Sequence, residues 1–155
     1  MAEGYVYEVR NGGVAISTAI TVIQIKAGAS ALEILRASIG QKASTTSAIE
    51  RIGLVRKSSA ATVTSATPLK LNAGDPAALA VGGTSATGVT ATASDASDTD
   101  ILVDECFNIV NGSWAWLPTP EERIRVPQGG ILALKFLTAP ASQTWYASVK
   151  FRELQ

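Results

Sequence analysis

Acidic side chains are the groups in this sequence whose spacing comes closest to a chemical site. Asp95, Asp98 and Asp100 lie close together, and Asp104 follows shortly after. Several carboxylate oxygens in one flexible loop are the ligands that Ca²⁺ prefers. The spacing differs from that of an EF-hand loop, which alternates its ligands and ends in a bidentate Glu. A polar loop in which Asp and Ser form turns explains the cluster equally well, so we predict no metal site.

The sequence also offers no convincing pair of residues for acid–base or nucleophilic catalysis. Glu121 and Glu122 are adjacent, and neighbouring side chains on an extended chain point to opposite sides, so a solvated turn is expected there. The sequence contains no His, which removes the commonest general base, the Ser–His and Cys–His pairs and the commonest metal ligand. We therefore predict no catalytic residues, no cofactor and no enzymatic activity.

Two further motifs have structural explanations. The single Cys106 follows an apolar run and is expected to be a small buried hydrophobe. The glycine-rich stretch at residues 82–88 lacks the Gly-Lys-Ser/Thr ending of a phosphate loop. Neither motif predicts a ligand.

Trp114 and Trp116 are two residues apart, so on a strand they share a face. An exposed pair would make a platform for stacking sugars. A buried pair would belong to the core or to a subunit contact, because aromatic side chains dominate both. We prefer the core or a contact.

Charge gives no indication of a polyanionic partner. Thirteen basic and thirteen acidic side chains cancel, and the sequence shows no run of basic residues, so we expect no nucleic-acid partner. No stretch approaches the roughly 20 apolar residues of a membrane helix, so no membrane partner is expected. The apolar run at residues 14–25 imitates a secretion signal, but polar residues interrupt it and a strand is predicted.

The last third of the chain has the clearest secondary-structure pattern, and that pattern is of β-strands. Residues 123–126, 131–137 and 145–154 read as three strands separated by turns. In the last of them one set of side chains is apolar and the alternate set is polar: Trp145, Ala147, Val149 and Phe151 against Ser148, Lys150 and Arg152. A period of two with one apolar face is typical of a half-buried strand in an antiparallel sheet.

Similar patterns recur along the 155 residues and predict an all-β, antiparallel β-sandwich, jelly-roll-like, with eight or nine strands. Residues 29–38 have helical spacing at Leu32 and Leu35, but we predict a strand that places Leu32, Ile34 and Arg36 on one face. Residues 62–71 read as a strand that Pro68 confines to an edge or a bulge.

Three local elements complete the prediction. One short helix is predicted at residues 76–81, with Asp75 as its N-cap and Pro76 at its first position. Residues 87–93 are predicted as a strand. Asn111-Gly112 predicts a two-residue hairpin that pairs the strand at 114–117 with the one at 101–110.

The segments at residues 116–127 and 130–135, together with 32–37 and 74–78, resemble a family of capsid decoration (cement) proteins of tailed phages. The resemblance implies a jelly-roll-like sandwich that sits as a homotrimer on the outer surface of the virion. It also implies the major capsid protein as partner, with the chain bound over junctions between capsid subunits. No binding residue carries over from the family.

The residues themselves suggest where contacts would form. We predict that residues 1–13 make an arm or edge strand and that residues 14–155 form a single sandwich domain. The candidate capsid or subunit contacts are Tyr5, Tyr7, Val9, Trp114 and Trp116. A carbohydrate-binding module or phage fibre head that uses the Trp pair is the alternative. A jelly-roll major capsid protein of a small virus is disfavoured by the lack of a basic arm.

Overall fold

The computed structural model describes residues 4–42 and 47–154, and these are almost entirely strands and turns. The strands are β1 (Val6–Arg10), β2 (Val14–Ile16), β3 (Thr21–Lys26), β4 (Ala31–Gln41), β5 (Ile49–Lys57), β6 (Thr62–Ala66), β7 (Leu69–Lys70), β8 (Val81–Thr87), β9 (Asp98–Asn108), β10 (Trp114–Trp116), β11 (Arg125–Val126), β12 (Ile131–Phe136) and β13 (Gln143–Leu154). Single 3₁₀ turns form at Ile109–Asn111 and Pro120–Glu122. No helix in this part of the chain is long and apolar enough to span a membrane.

The strands form two antiparallel sheets packed as a sandwich, which confirms the predicted all-β class. One sheet has the order β10-β4-β13-β1-β7, with β11 paired to β4 and β2 paired to β13. The other has the order β6-β8-β3-β12-β5-β9. We call them the seven-stranded and the six-stranded sheet.

Eight of these strands have the wrapped pairing of a jelly roll. In chain order they are β1, β3, β4, β5, β9, β10, β12 and β13. The first pairs with the last (β1 with β13), the second with the seventh (β3 with β12), the third with the sixth (β4 with β10) and the fourth with the fifth (β5 with β9). The remaining strands extend this frame at its edges.

The core lies between the sheets and explains the alternation in the sequence. From β13, Trp145, Val149 and Phe151 are fully buried, and they face Phe136 and the inner side chains of β3, β5 and β12. The Trp145 ring packs edge-on against Phe136, with ring centroids 4.9 Å apart. β13 therefore buries one set of alternate side chains in this layer.

Residues 58–97 insert three strands between β5 and β9 and close one edge of the sandwich. β6 and β8 extend the six-stranded sheet beyond β3, while β7 extends the seven-stranded sheet beyond β1. Pro68 separates β6 from β7, which both lie at sheet edges. The single strand predicted at residues 62–71 is therefore wrong, because the chain passes from one sheet to the other at Pro68. The edge location expected for Pro68 is found, since Pro has no amide to donate.

The predicted helix at residues 76–81 is wrong. Residues 76–80 form an irregular loop, and β8 starts at Val81. A helix would bond the Ala80 amide to the Pro76 carbonyl. Instead the Ala80 amide donates to the Glu153 carboxylate at 2.8 Å, and the Pro76 carbonyl accepts the Tyr7 hydroxyl at 3.1 Å. Both partners of the first helical bond are taken by other strands.

Replacing Glu153 by Ala is expected to lower the free energy of unfolding by about 3 kcal/mol, because the amides of Leu79 and Ala80 would lose their buried acceptor. Urea denaturation followed by circular dichroism measures this. Glu153→Gln keeps a carbonyl oxygen at the same place and serves as the matched control with a smaller loss. Equal stability of the wild type and both variants would contradict this role of Glu153.

Two other local predictions are also corrected. The strand predicted at residues 87–93 lies earlier, as β8, and residues 88–93 instead form turns with one isolated bridge at Thr92. The predicted Asn111-Gly112 hairpin does not form, because β9 pairs with β5 while β10 pairs with β4 in the other sheet. Gly112 has a φ of 135°, and the chain crosses between sheets there rather than turning back.

Candidate functional site

The acidic cluster of the sequence forms a buried ion-pair network with two lysines. Lys57 lies at the end of β5 and Lys135 in β12, and neither side chain is exposed. The Lys57 ammonium donates to Asp95 at 2.6 Å and to Asp98 at 3.0 Å. The Lys135 ammonium donates to the same two carboxylates at 2.9 and 2.7 Å. We call these four residues the lysine clamp.

The lysine clamp holds a loop over the outer side of the six-stranded sheet. Lys57 also donates to the carbonyl of Thr90, and Lys135 to that of Thr92. Beneath this loop, Val55 and Ala133 are completely buried although they face away from the main core. The loop at residues 88–97 therefore acts as a third layer on that sheet.

The electrostatics of the clamp keep the Asp95 carboxylate ionised. Burial would raise the pKa of Asp95, but hydrogen bonds from Lys135, Lys57 and Ser97 outweigh it and hold that pKa far below its ordinary value. Two ammonium and two carboxylate groups satisfy one another. The carboxylate oxygens of Asp95 and Asp98, which were considered as calcium ligands, are thus hydrogen-bonded to lysine. The described residues contain no group of three or more His, Cys, Asp and Glu side chains that could hold a metal ion.

The remaining acidic residues singled out in the sequence lie at the surface. Asp104 pairs with Arg51 at 2.5 Å and Asp100 with Arg56 at 3.1 Å, both exposed. Glu121 and Glu122 belong to an exposed 3₁₀ turn, as expected for a solvated turn. None of these arrangements places a nucleophile beside a base.

Cys106 was expected to be buried, and this is wrong. It lies exposed on β9, the outermost strand of the six-stranded sheet. An edge strand of a sandwich keeps one face in solvent, so an apolar stretch of sequence does not by itself imply burial.

Residues 1–13 were predicted to form an arm or edge strand, and the structure contradicts this for residues 4–13. β1 lies inside the seven-stranded sheet, between β13 and β7. Tyr7 and Val9 are 0% and 1% exposed and belong to the core, and Tyr5 packs against it. Tyr7 and Val9 are therefore not available as surface contacts in the folded chain, whereas Tyr5 is half-buried and keeps part of its side chain at the surface. Residues 1–3 of the predicted arm lie outside the described residues.

The two tryptophans of β10 do not form an exposed platform. Trp114 is buried, and its indole nitrogen donates to Glu105 of β9 at 2.6 Å, which ties the two sheets together. Trp116 is half-buried and borders a cleft of about 470 Å³ between β9 and β10. Of the two roles expected for the pair, core or contact, Trp114 has the core role and leaves little surface for a contact.

Two surface features were not visible in the sequence. The first is an apolar edge where residues 58–97 close the sandwich. It carries four aliphatic side chains that are about half exposed, Leu69, Leu71, Leu79 and Val81. Leu69 lies opposite Glu8 of β1, and the amide of Leu71 bonds to the carbonyl of Val6. Leu69 faces outward from the seven-stranded sheet, whereas Val81 lies opposite Lys26 and faces outward from the six-stranded sheet. The four side chains therefore line the closed edge of the sandwich from both sheets, which only the sheet topology shows.

The second feature is a basic face on the outer side of the seven-stranded sheet. It consists of six cationic side chains from four strands and one loop: Arg10, Arg36, Arg123, Arg125, Lys150 and Arg152. The sequence shows no basic run because these residues are spread over the whole chain. The pairing of β1, β4, β11 and β13 brings them together.

Comparison of the chain with protein-family models, with curated proteins and with solved structures finds no match in any of the three. The geometry of the chain is therefore the basis for any assignment.

Proposed function

We propose that this chain is a capsid decoration protein of a tailed phage, which binds the outer surface of the head and stabilises contacts between major capsid subunits. The resemblance of the segments at 116–127 and 130–135 first suggested this role. The jelly-roll sandwich is consistent with it, because a cement protein needs a stiff body rather than a catalytic group. Many modest contacts repeated around a shell stabilise it through mass action and multivalency.

The observation that carries the proposal is the apolar edge. Its four aliphatic side chains are between 47% and 58% exposed, although they could have been polar at no cost to the core. Grouped apolar side chains on a soluble protein mark surfaces that bind another protein. The loop that bears Leu79 is fixed by Glu153, so this surface is preformed.

The proposal is tested by sedimenting purified chain with heads of the encoding phage that lack their decoration layer. Wild-type chain is expected to pellet with the heads and to raise their melting temperature. Replacing both Leu69 and Leu79 by Ser is expected to weaken binding at least about tenfold, because apolar area is lost from the contact. Light scattering on the free chain should give a mass of three 16.1 kDa copies if the trimer forms in solution.

The matched control replaces Ile49 and Leu117 by Ser. Both are more exposed than the residues of the apolar edge, at 73% and 68%, and lie outside it. Wild-type chain that stays in the supernatant would refute the decoration role. If the Leu69/Leu79 variant and the Ile49/Leu117 variant bound heads equally well, the apolar edge would not be part of the contact.

A further inference from the structure

We infer that the basic face is a docking surface for an acidic patch on a protein. The inference rests on the proposed function when it names that protein: the patch would lie on the outer surface of the major capsid protein.

Cross-strand pairing arranges the face in rows. In one row Arg10 lies opposite Ser148, whose hydroxyl is 3.0 Å from that of Ser38. In the next row Lys150 lies between Glu8 and Arg36. In the third, Glu33 lies between Arg152 and Arg125. Adjacent strands lie about 4.8 Å apart, so neighbouring charges form one continuous surface.

A β-bulge contributes one of these charges. The pairing of β4 with β13 shifts between Lys150 and Phe151, so that Arg36 opposes Lys150 while Ile34 opposes Phe151. Lys150 alternates with the buried Val149, and Arg36 therefore joins it on the outer side. The sequence had placed Arg36 on the same face as Leu32 and Ile34, which is wrong because the extra residue at the bulge reverses the alternation.

The face carries an excess of positive charge although the whole chain is neutral. Six cations are offset by two carboxylates, Glu8 and Glu33, which leaves four unmatched positive charges on this side. Glu33 alone has three guanidinium groups around it, those of Arg123, Arg125 and Arg152 at 3.2 to 3.9 Å. One carboxylate cannot neutralise three cations.

Burial separates the two signs of charge. The side chains of Glu8 and Glu33 are only 7% and 8% exposed, whereas those of Arg10 and Arg125 are 59% and 74% exposed. Burial would raise the pKa of Glu8, but the hydrogen bond from Arg10 and the charge of Lys150 lower it below its ordinary value. The two buried acidic side chains orient the arginines from below, and the guanidinium groups of Arg10 and Arg125 reach solvent. Carboxylates of a partner are the ligands that such guanidinium forks bind in bidentate geometry.

The neighbouring surface favours a protein over a nucleic acid. Leu69 of the apolar edge lies opposite Glu8, so this exposed aliphatic side chain directly adjoins the basic rows. An apolar region bordered by charge is typical of protein interfaces. Binding of single-stranded nucleic acid requires several aromatic side chains for stacking, and Tyr146 is the one exposed aromatic residue in the described ranges.

The test compares two charge-reversal variants that change net charge equally. One replaces Arg10 and Arg125 by Glu on the basic face. The control replaces Arg51 and Arg56 by Glu on the six-stranded sheet, where both form exposed ion pairs. A third variant, Arg10→Gln with Arg125→Gln, keeps the test valid if a new Glu beside Glu8 prevents folding. Each variant is first checked by circular dichroism and melting temperature.

Two measurements are made on each protein. On a sulfonate cation exchanger at pH 7.5, above the pI of 6.3, wild type and control are expected to be retained and the basic-face variants to flow through. In sedimentation with undecorated heads, the basic-face variants are expected to bind about tenfold more weakly at low salt, and the difference should shrink at high salt because charges are screened.

The outcomes separate this inference from the proposed function. Wild-type chain that fails to pellet with heads refutes the decoration role and the capsid partner with it. If wild type pellets with heads and the basic-face variants bind as tightly as the control variant, the docking surface alone is overturned. Tighter binding to a dT oligonucleotide than to heads would identify a nucleic acid as the partner and overturn the protein assignment. Flow-through of wild type on the exchanger would show that the face does not act as a cationic surface.

Discussion

Replacing Asp95 by Ala is expected to lower the free energy of unfolding by about 3–5 kcal/mol, among the largest losses that one substitution in this chain can cause. Asp95 is 2% exposed and accepts from both lysines of the clamp. Its removal leaves two buried ammonium groups with Asp98 as their one carboxylate. Urea denaturation followed by circular dichroism measures the loss, and proteolysis between residues 88 and 97 should become faster as the loop lifts.

The matched control is Asp100→Ala, which breaks an exposed ion pair with Arg56 and is expected to cost at most about 1 kcal/mol. Acid gives a second readout. The pKa of Asp95 is lowered by folding, so its contribution is fully present above the unfolded value of about 3.9 and is lost as the pH falls below it. Wild type should therefore lose stability more steeply than Asp95→Ala in this range. Parallel pH curves would contradict the clamp.

Replacing Trp145 by Ala is expected to cost about 3–5 kcal/mol, because a fully buried indole leaves a cavity between the sheets. The ring packs against Phe136 and, at 6.2 Å between centroids, against Phe107. Its indole nitrogen also donates to the carbonyl of Ala141 at 3.3 Å. Circular dichroism in urea is the suitable probe, since the substitution itself removes a fluorophore.

Two further substitutions test whether the loss of stability follows the amount of buried aromatic ring that is removed. Trp145→Phe retains an aromatic ring and is expected to cost clearly less than the Ala variant. Trp116→Ala, at a half-buried position on β10, is the control with a smaller loss. If Trp116→Ala destabilised the chain more than Trp145→Ala, the core would be centred elsewhere.

The features that the sequence predicts best are local ones, such as which side of a strand a side chain faces. The alternation of β13 from Trp145 to Phe151 and the edge position of Pro68 are local consequences of strand geometry and of a missing amide, and both are confirmed. Strand character at Leu32 and Leu35 was ambiguous on local propensity, and burial against the opposite sheet decided it. Fold class follows from many such local signals.

Features that depend on distant partners could not be predicted. Residues 76–80 carry good helix signals, but Glu153 and Tyr7 take the hydrogen-bonding groups that the helix needs. Lys57, Lys135 and the aspartates of the clamp meet only because the loop folds back over β5 and β12. The basic face likewise depends on strand pairing and on one bulge. Tyr7 and Val9, predicted as contacts, lie in the core instead, because the pairing of β1 turns both side chains toward the opposite sheet.

The central position of β13 has a consequence for how the chain is made. This strand pairs with β1, β2 and β4 and thereby joins most of the seven-stranded sheet. During synthesis, β1 and β4 leave the ribosome long before residues 143–154 exist, so their inner edges stay open until translation reaches β13. Long-range strand pairing of this kind forms slowly, and until it forms the unpaired strand edges can aggregate with other chains. The nascent chain should therefore acquire protease resistance late and abruptly, which makes release of β13 the event that commits each copy to its fold.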